Sequence, residues 1–162
     1  MKQELDDMLN ECTEELNDIE NRISTLSPFD KGRQYFTSYA LIKASGTAEF
    51  VYRSIVADHF ASLTNRRIDS YLEKTVRKGS MGAKYTTMLD LLGKFDDQWK
   101  KDFQSTVNAR DDKDKLIASS NSLVTNRNCF AHGKTPTATF LDIKQYYEDL
   151  IKLILIFDSI VH

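Results

Sequence analysis

Two prolines and six glycines in 162 residues leave too few turn formers for a β fold with its frequent reversals, and favour long helices. Cysteine is equally scarce. Cys12 and Cys129 lie far apart in the chain, which reads as two reduced thiols rather than a disulfide framework or a zinc set. No uninterrupted apolar run approaches the ~20 residues that cross a bilayer. The N-terminus is acidic and has no apolar core of a signal peptide. The sequence therefore predicts a soluble, cytoplasmic protein with no membrane association. Charge of one sign is missing too: 22 basic against 24 acidic side chains give a net charge of −2. A general basic coat is excluded, so any RNA contact must come from a local patch. Several catalytic signatures are absent: G-x-S-x-G, the P-loop and H-E-x-x-H. Asp111 to Lys115 fails as a calcium loop, because the turn glycine and the closing glutamate are both missing.

What is there is helical periodicity over nearly the whole chain, and the expected fold class is all-α. Leu5, Met8, Leu9, Cys12, Leu16, Ile19 and Ile23 form one stripe over residues 2–26, with acidic residues opposite. A second long helix is expected over residues 33–63, with Tyr35, Tyr39, Ile42, Gly46, Glu49, Arg53, Val56, Phe60 and Leu63 on its inward face. Two charges, Glu49 and Arg53, interrupt that stripe four residues apart. They read either as a pair at the core edge or as part of a functional site. Residues 65–84 carry Arg66, Arg67, Lys74, Arg77, Lys78 and Lys84 against only Asp69 and Glu73, with Tyr71 and Tyr85 among them. This is either a solvated helix face or a surface that follows a phosphate backbone. Residues 81–95 contain a short helix ended by Gly93, and Asp96 or Asp97 caps the next, where Trp99 reads as a core anchor. Asp111 to Lys115 caps the helix that follows. Thr139 to Asp142 reads as a capping box, opening a last helix that reaches Val161 and is apolar around much of its circumference. One domain, residues 1–162, is expected.

The chain converges on Asn126-Arg127-Asn128-Cys129-Phe130-Ala131-His132-Gly133. Leu116, Ile117, Ser120, Leu123, Val124, Arg127 and Ala131 recur at helical spacing, so Arg127 lies on or beside the inward face. Gly133 and then Pro136 stop the helix, which puts His132 in its last turn, beside carbonyls that attract positive charge. His59 next to Asp58 is no metal pair, since adjacent helical residues point about 100° apart. Only Arg127 and His132 set a cation beside a titratable base.

Arg127-Asn128 followed after three residues by His132 resembles the R-x4-H motif of the HEPN superfamily. The run from Leu123 to Gly133 is similar to the stand-alone branches, including the RiboL-PSP type. The resemblance implies an antiparallel helical bundle with two long core helices plus shorter ones. It implies a metal-independent endoribonuclease, without cofactor, whose cleft forms where two protomers bring their motifs together and which leaves a 2′,3′-cyclic phosphate. In that scheme Arg127 holds the scissile phosphate, His132 moves the proton, Asn128 orients groups in the cleft, and Glu49 positions Arg127 or the opposing histidine. Arg53 and Lys134 become peripheral phosphate contacts. The partners implied are RNA, a second copy of the chain, and a cognate antitoxin or regulatory protein as a candidate, in defence, toxin–antitoxin or RNA-processing systems. HEPN toxins paired with nucleotidyltransferases usually carry tyrosine two residues after the histidine. Lys134 stands there instead, which speaks against modification by such a partner. The competing expectation is a catalytically inactive HEPN-type module for protein or nucleotide binding, with Arg127 salt-bridged to Glu49 and His132 capping its helix.

Overall fold

The computed structural model describes residues 1–61 and 65–161, and every regular element among them is a helix. In chain order these are α1 (Gln3–Thr25), α2 (Lys31–Ala61), α3 (Arg66–Leu72), a π-helical turn over Glu73–Arg77, α4 (Tyr85–Phe95), α5 (Asp97–Asn108), α6 (Lys113–Ala131) and α7 (Phe140–Ile160). The all-α class read from the sequence stands. The expected last turn of the second helix, to Leu63, lies outside the described residues, as does His162. Among the described residues no helix is long and apolar enough to cross a membrane.

Long-range bonds fix the helix directions. Lys43 Nζ meets Glu15 Oε2 at 2.5 Å while Lys2 Nζ meets Asp58 Oδ1 at 3.0 Å, so α1 and α2 run antiparallel. The N-terminal amine reaches Asp158 at 2.8 Å, and Lys144 reaches Glu20 at 2.5 Å, so α7 also opposes α1. Ser119 Oγ donates to Asp149 Oδ2 at 2.9 Å, and Ala138 N donates to Asn126 Oδ1 at 3.0 Å, which sets α6 against α7 in the same sense. Helices α2 and α7 form the central pair, with α6 and α5 against α7 and α1 against α2. The circumferential apolarity of α7 is thereby explained by a central position. An aromatic cluster closes this centre: Tyr52 and Phe103 both meet Phe157 edge-on, with ring centroids 5.7 and 5.6 Å away. Truncating such a buried ring costs about 3–5 kcal/mol.

Three expectations shift. The short helix within residues 81–95, α4, runs from Tyr85 and passes through Gly93, its expected stop, to Phe95. Its stop is Asp96, whose extended backbone ends α4 while its carboxylate accepts from the Gln98 and Trp99 amides and opens α5. Asp112 sits at the start of α6 but makes no side-chain cap, because its carboxylate takes two hydrogen bonds from Arg110 instead. The third concerns α2. In its first half Ala40, Leu41, Ala44 and Ala48 are buried, while Tyr35, Tyr39 and Ile42 stand on the surface at 71, 50 and 41% exposure, with Tyr39 Oη donating to Glu15 of α1. From Thr47 to Ala57, by contrast, α2 is buried almost all round, Phe50 alone being half-buried.

Candidate functional site: the C-terminal end of helix α6

Helix α6 ends by a defined device. Gly133 takes φ +72°, a left-handed conformation that side chains resist. Its N–H donates to Phe130 O at 3.0 Å, and the Lys134 N–H reaches back to Cys129 O at 2.8 Å. These two bonds are a Schellman closure. His132 is the residue at the cap, one position beyond the last helical residue. Two of the carbonyls expected to stand unpaired near it are therefore satisfied by backbone.

The chain beyond the cap is held by a residue whose role the sequence reading missed. Asn126 is buried, and its Oδ1 accepts from Thr137 N at 2.9 Å, Ala138 N at 3.0 Å and Thr137 Oγ1 at 3.3 Å. Its Nδ2 donates to Ser122 O at 2.9 Å. One amide thus ties residues 137–138 back to the helix, which fixes the loop that carries Lys134. Ser119, Leu123 and Asn126 are buried at four- and three-residue spacing, and that stripe was the available signal.

Arg127 is consequently turned to the edge of the packed face, where it is half-buried. Its Nη1 donates to Asn128 Oδ1 at 3.2 Å. Asn128 and His132 are four apart and share a helix side, and the His132 N–H donates to Asn128 O at 3.0 Å. Asn128, His132 and Lys134 are all exposed. Among the described residues no carboxylate lies within ion-pair distance of Arg127, His132 or Lys134. The site is a cation, an amide and an imidazole open to solvent, with a second cation on the following loop. Such a set can grip an anion bidentately and exchange a proton next to it.

Glu49 and Arg53 lie elsewhere in function. Both are buried, at 6 and 4% exposure, and they pair at 2.7 Å. Glu49 Oε1 also accepts from Met81 N at 2.9 Å. Arg53 Nε donates to Val76 O at 2.6 Å, and its Nη2 donates to Arg77 O. Two donor groups of the guanidinium thus hold the π turn, while the third holds Glu49, which in turn holds the strap after that turn, residues 78–84. The structure does not bring this pair to Arg127. The expected positioning role of Glu49 and the expected phosphate contact of Arg53 give way to an internal brace, for the physical reason that a buried ion pair must satisfy itself locally.

Beside the motif lies an open groove of about 470 Å³, lined by Gln34, Tyr35, Ser38, Tyr39, Ile42 and Phe130. Phe130 is 40% exposed, so the displaced aromatic stripe of α2 and the motif helix present one continuous apolar face.

A helical bundle with an open Arg-Asn-x3-His set at the end of its penultimate helix is the arrangement of a HEPN domain. The RiboL-PSP-HEPN family model matches residues 7–162, and the chain belongs to that family. Neither the curated proteins nor the solved structures give a match to it. Membership puts the chain among domains that act as nucleases or nucleotide-binding modules, often as ribonucleases, and that commonly bind RNA and dimerise. It does not extend to an antitoxin partner.

Proposed function

We propose that the protein is a metal-independent endoribonuclease that cleaves RNA with Arg127 and His132 at a cleft between two copies of the chain. The observation that carries this reading is the state of Arg127, a half-buried guanidinium with no carboxylate partner among the described residues and bonded only to Asn128. The other half-buried arginines are engaged by the fold: Arg77 pairs with Asp58 and Glu73, and Arg33 donates to the carbonyls of Ile23 and Leu26.

The chemistry follows from the groups. A base removes the proton of a ribose 2′-hydroxyl, whose oxygen attacks the adjacent phosphorus. The bond from phosphorus to the 5′-oxygen breaks, and an acid protonates that leaving oxygen. The products are a 2′,3′-cyclic phosphate and a 5′-hydroxyl. Arg127 stabilises the dianionic phosphorane through two parallel N–H groups. One imidazole serves as base or acid, and the partner's His132 supplies the other role. Asn128 holds the Arg127 guanidinium toward the phosphate, and Lys134 contacts a neighbouring phosphate. The exposed face of Tyr35, Tyr39, Ile42 and Phe130 supports a dimer on this side, since apolar area of this kind is what a self-complementary interface covers.

The test is cleavage of labelled single-stranded RNA in EDTA. Wild type is expected to yield cyclic-phosphate ends, while Arg127→Ala and His132→Ala fold and dimerise normally and lose at least ~10²-fold in rate. Equal cleavage by all three proteins would sink the assignment. A wild type that binds RNA or nucleotides but cleaves none of a varied panel would favour the non-catalytic HEPN-type module.

A further inference from the structure

The segment Asn65–Lys84 carries six basic and two acidic side chains in a chain whose net charge is −2. The fold sorts these cations into two groups. Arg77 pairs with Glu73 at 2.8 Å and with Asp58, and Lys78 reaches Glu73 at 3.2 Å, so both are engaged within the chain. Arg66, Arg67 and Lys74 are exposed and take part in no ion pair among the described residues. Arg67, Tyr71 and Lys74 follow at four- and three-residue spacing and share one face. Tyr71 is 64% exposed, too open to be a core ring.

The position of this face is fixed as firmly as its composition. Asn65 caps α3 through the Arg67 and Ile68 amides at 3.0 and 3.3 Å, and the buried Arg53 holds the carbonyls of Val76 and Arg77 at the far end. The strap that follows runs onto α6. Tyr52 Oη donates to Gly82 O at 2.8 Å, and Tyr85 N donates to Ser120 Oγ at 3.2 Å. Gly82, at φ +69°, lies so close to α6 that a Cβ there would stand 3.1 Å from Val124 Cγ1. Val124 is one turn before Arg127 and Asn128. Lys84, also without an ion pair among the described residues, sits on this strap between Gly82, beside Val124, and Tyr85, beside Ser120. Cations with an interposed ring, leading toward a phosphate-gripping site, suit a strand whose bases are free to stack.

We propose that Arg66, Arg67, Tyr71 and Lys74 form a binding surface for single-stranded RNA, which the 78–84 strap leads toward Arg127 and His132. The direction of that lead rests on the ribonuclease reading; the surface itself binds RNA whether or not the chain cleaves it. The three cations contact phosphates and Tyr71 stacks on a base.

The test measures anisotropy of a labelled single-stranded RNA of about 20 nucleotides across a salt series, in the His132→Ala background so that the probe stays intact. Arg66→Ala/Lys74→Ala/Arg67→Ala is expected to weaken binding about tenfold or more and to reduce the slope of log K against log salt by about 2, near 0.7 per phosphate contact. Tyr71→Leu is expected to weaken binding about fivefold or more at unchanged slope. A control, Lys94→Ala/Lys101→Ala on other helices, leaves affinity within about twofold. Thermal unfolding checks that each variant folds. Triple-variant binding equal to the parent's at every salt concentration would overturn the proposal and leave the surface to an acidic protein. If wild type cleaves and the triple variant binds as wild type does, this surface fails and the nuclease reading stands. Patch-dependent binding by a protein that never cleaves has the opposite meaning.

Discussion

Asp149 shows what a single buried charge does in this bundle. It is fully buried on α7, yet it takes hydrogen bonds from Lys152 at 3.0 Å and Ser119 at 2.9 Å, with Lys115 at 3.4 Å. Burial pushes the carboxyl upward, but these partners outweigh it and hold it below the ordinary carboxylate range. A lowered folded value means that the folded state binds fewer protons than the unfolded chain between the two values. The stabilisation is therefore complete above the unfolded value of about 4 and is lost as pH falls through the folded one. Asp149→Asn should cost about 1–3 kcal/mol at neutral pH, and the gap from wild type should narrow in acid. Urea midpoints across pH read this directly, and a penalty unchanged down to the acid limit of folding would refute it. Arg127 is the contrasting residue, a half-buried cation with no acid beside it among the described residues. Sequence spacing placed Arg127 on or beside the inward face and gave no notice of Asp149; only neighbours on other helices decide which charge is braced and which is left for an anion.

Among elements, the strap of residues 78–84 is what the linear pattern could least foretell. Glu49 and Arg53 were legible as a pair, because four residues is one helical turn. Their target was not legible, since Met81 and Val76 lie on segments more than twenty residues away. Arg53→Met should destabilise the fold by about 3–5 kcal/mol, as it leaves Glu49 buried without its cation and two carbonyls without donors. Chemical denaturation checks this. If the variant instead folds like wild type and loses RNA affinity, Arg53 is a substrate contact after all. The termini of helices were better indicated. The Thr139 capping box is present, with Asp142 Oδ2 accepting from the Thr139 amide at 2.8 Å, and Gly133 closes α6 as expected. Gly93 was a false stop because Leu91 and Leu92 before it are buried and Phe95 beyond it packs against the core, and packing outweighs the modest cost of a helical glycine.

For the molecule as a whole, the exposed face of Tyr35, Tyr39, Ile42 and Phe130 bears on assembly. Under the proposed dimer, Ile42→Glu/Phe130→Glu should convert a dimer to a monomer in sedimentation while leaving the helical circular dichroism unchanged, because neither side chain is a core residue. Cleavage should fall with the dimer. A monomeric wild type, or a variant that dimerises like it, would exclude this face. The sequence by itself determined the long helices, the Asp96, Gly133 and Thr139 termini, the all-α class and the Arg-Asn-x3-His set, because each depends on contacts within a turn or two of chain. The tertiary structure alone decided which half of the α2 stripe is buried and that Glu49 and Arg53 brace a strap. It also decided that Asn126 holds the motif loop and that Arg127 has no carboxylate beside it among the described residues. Those outcomes depend on which helix lies against which face, and periodicity along one helix carries no record of its neighbours.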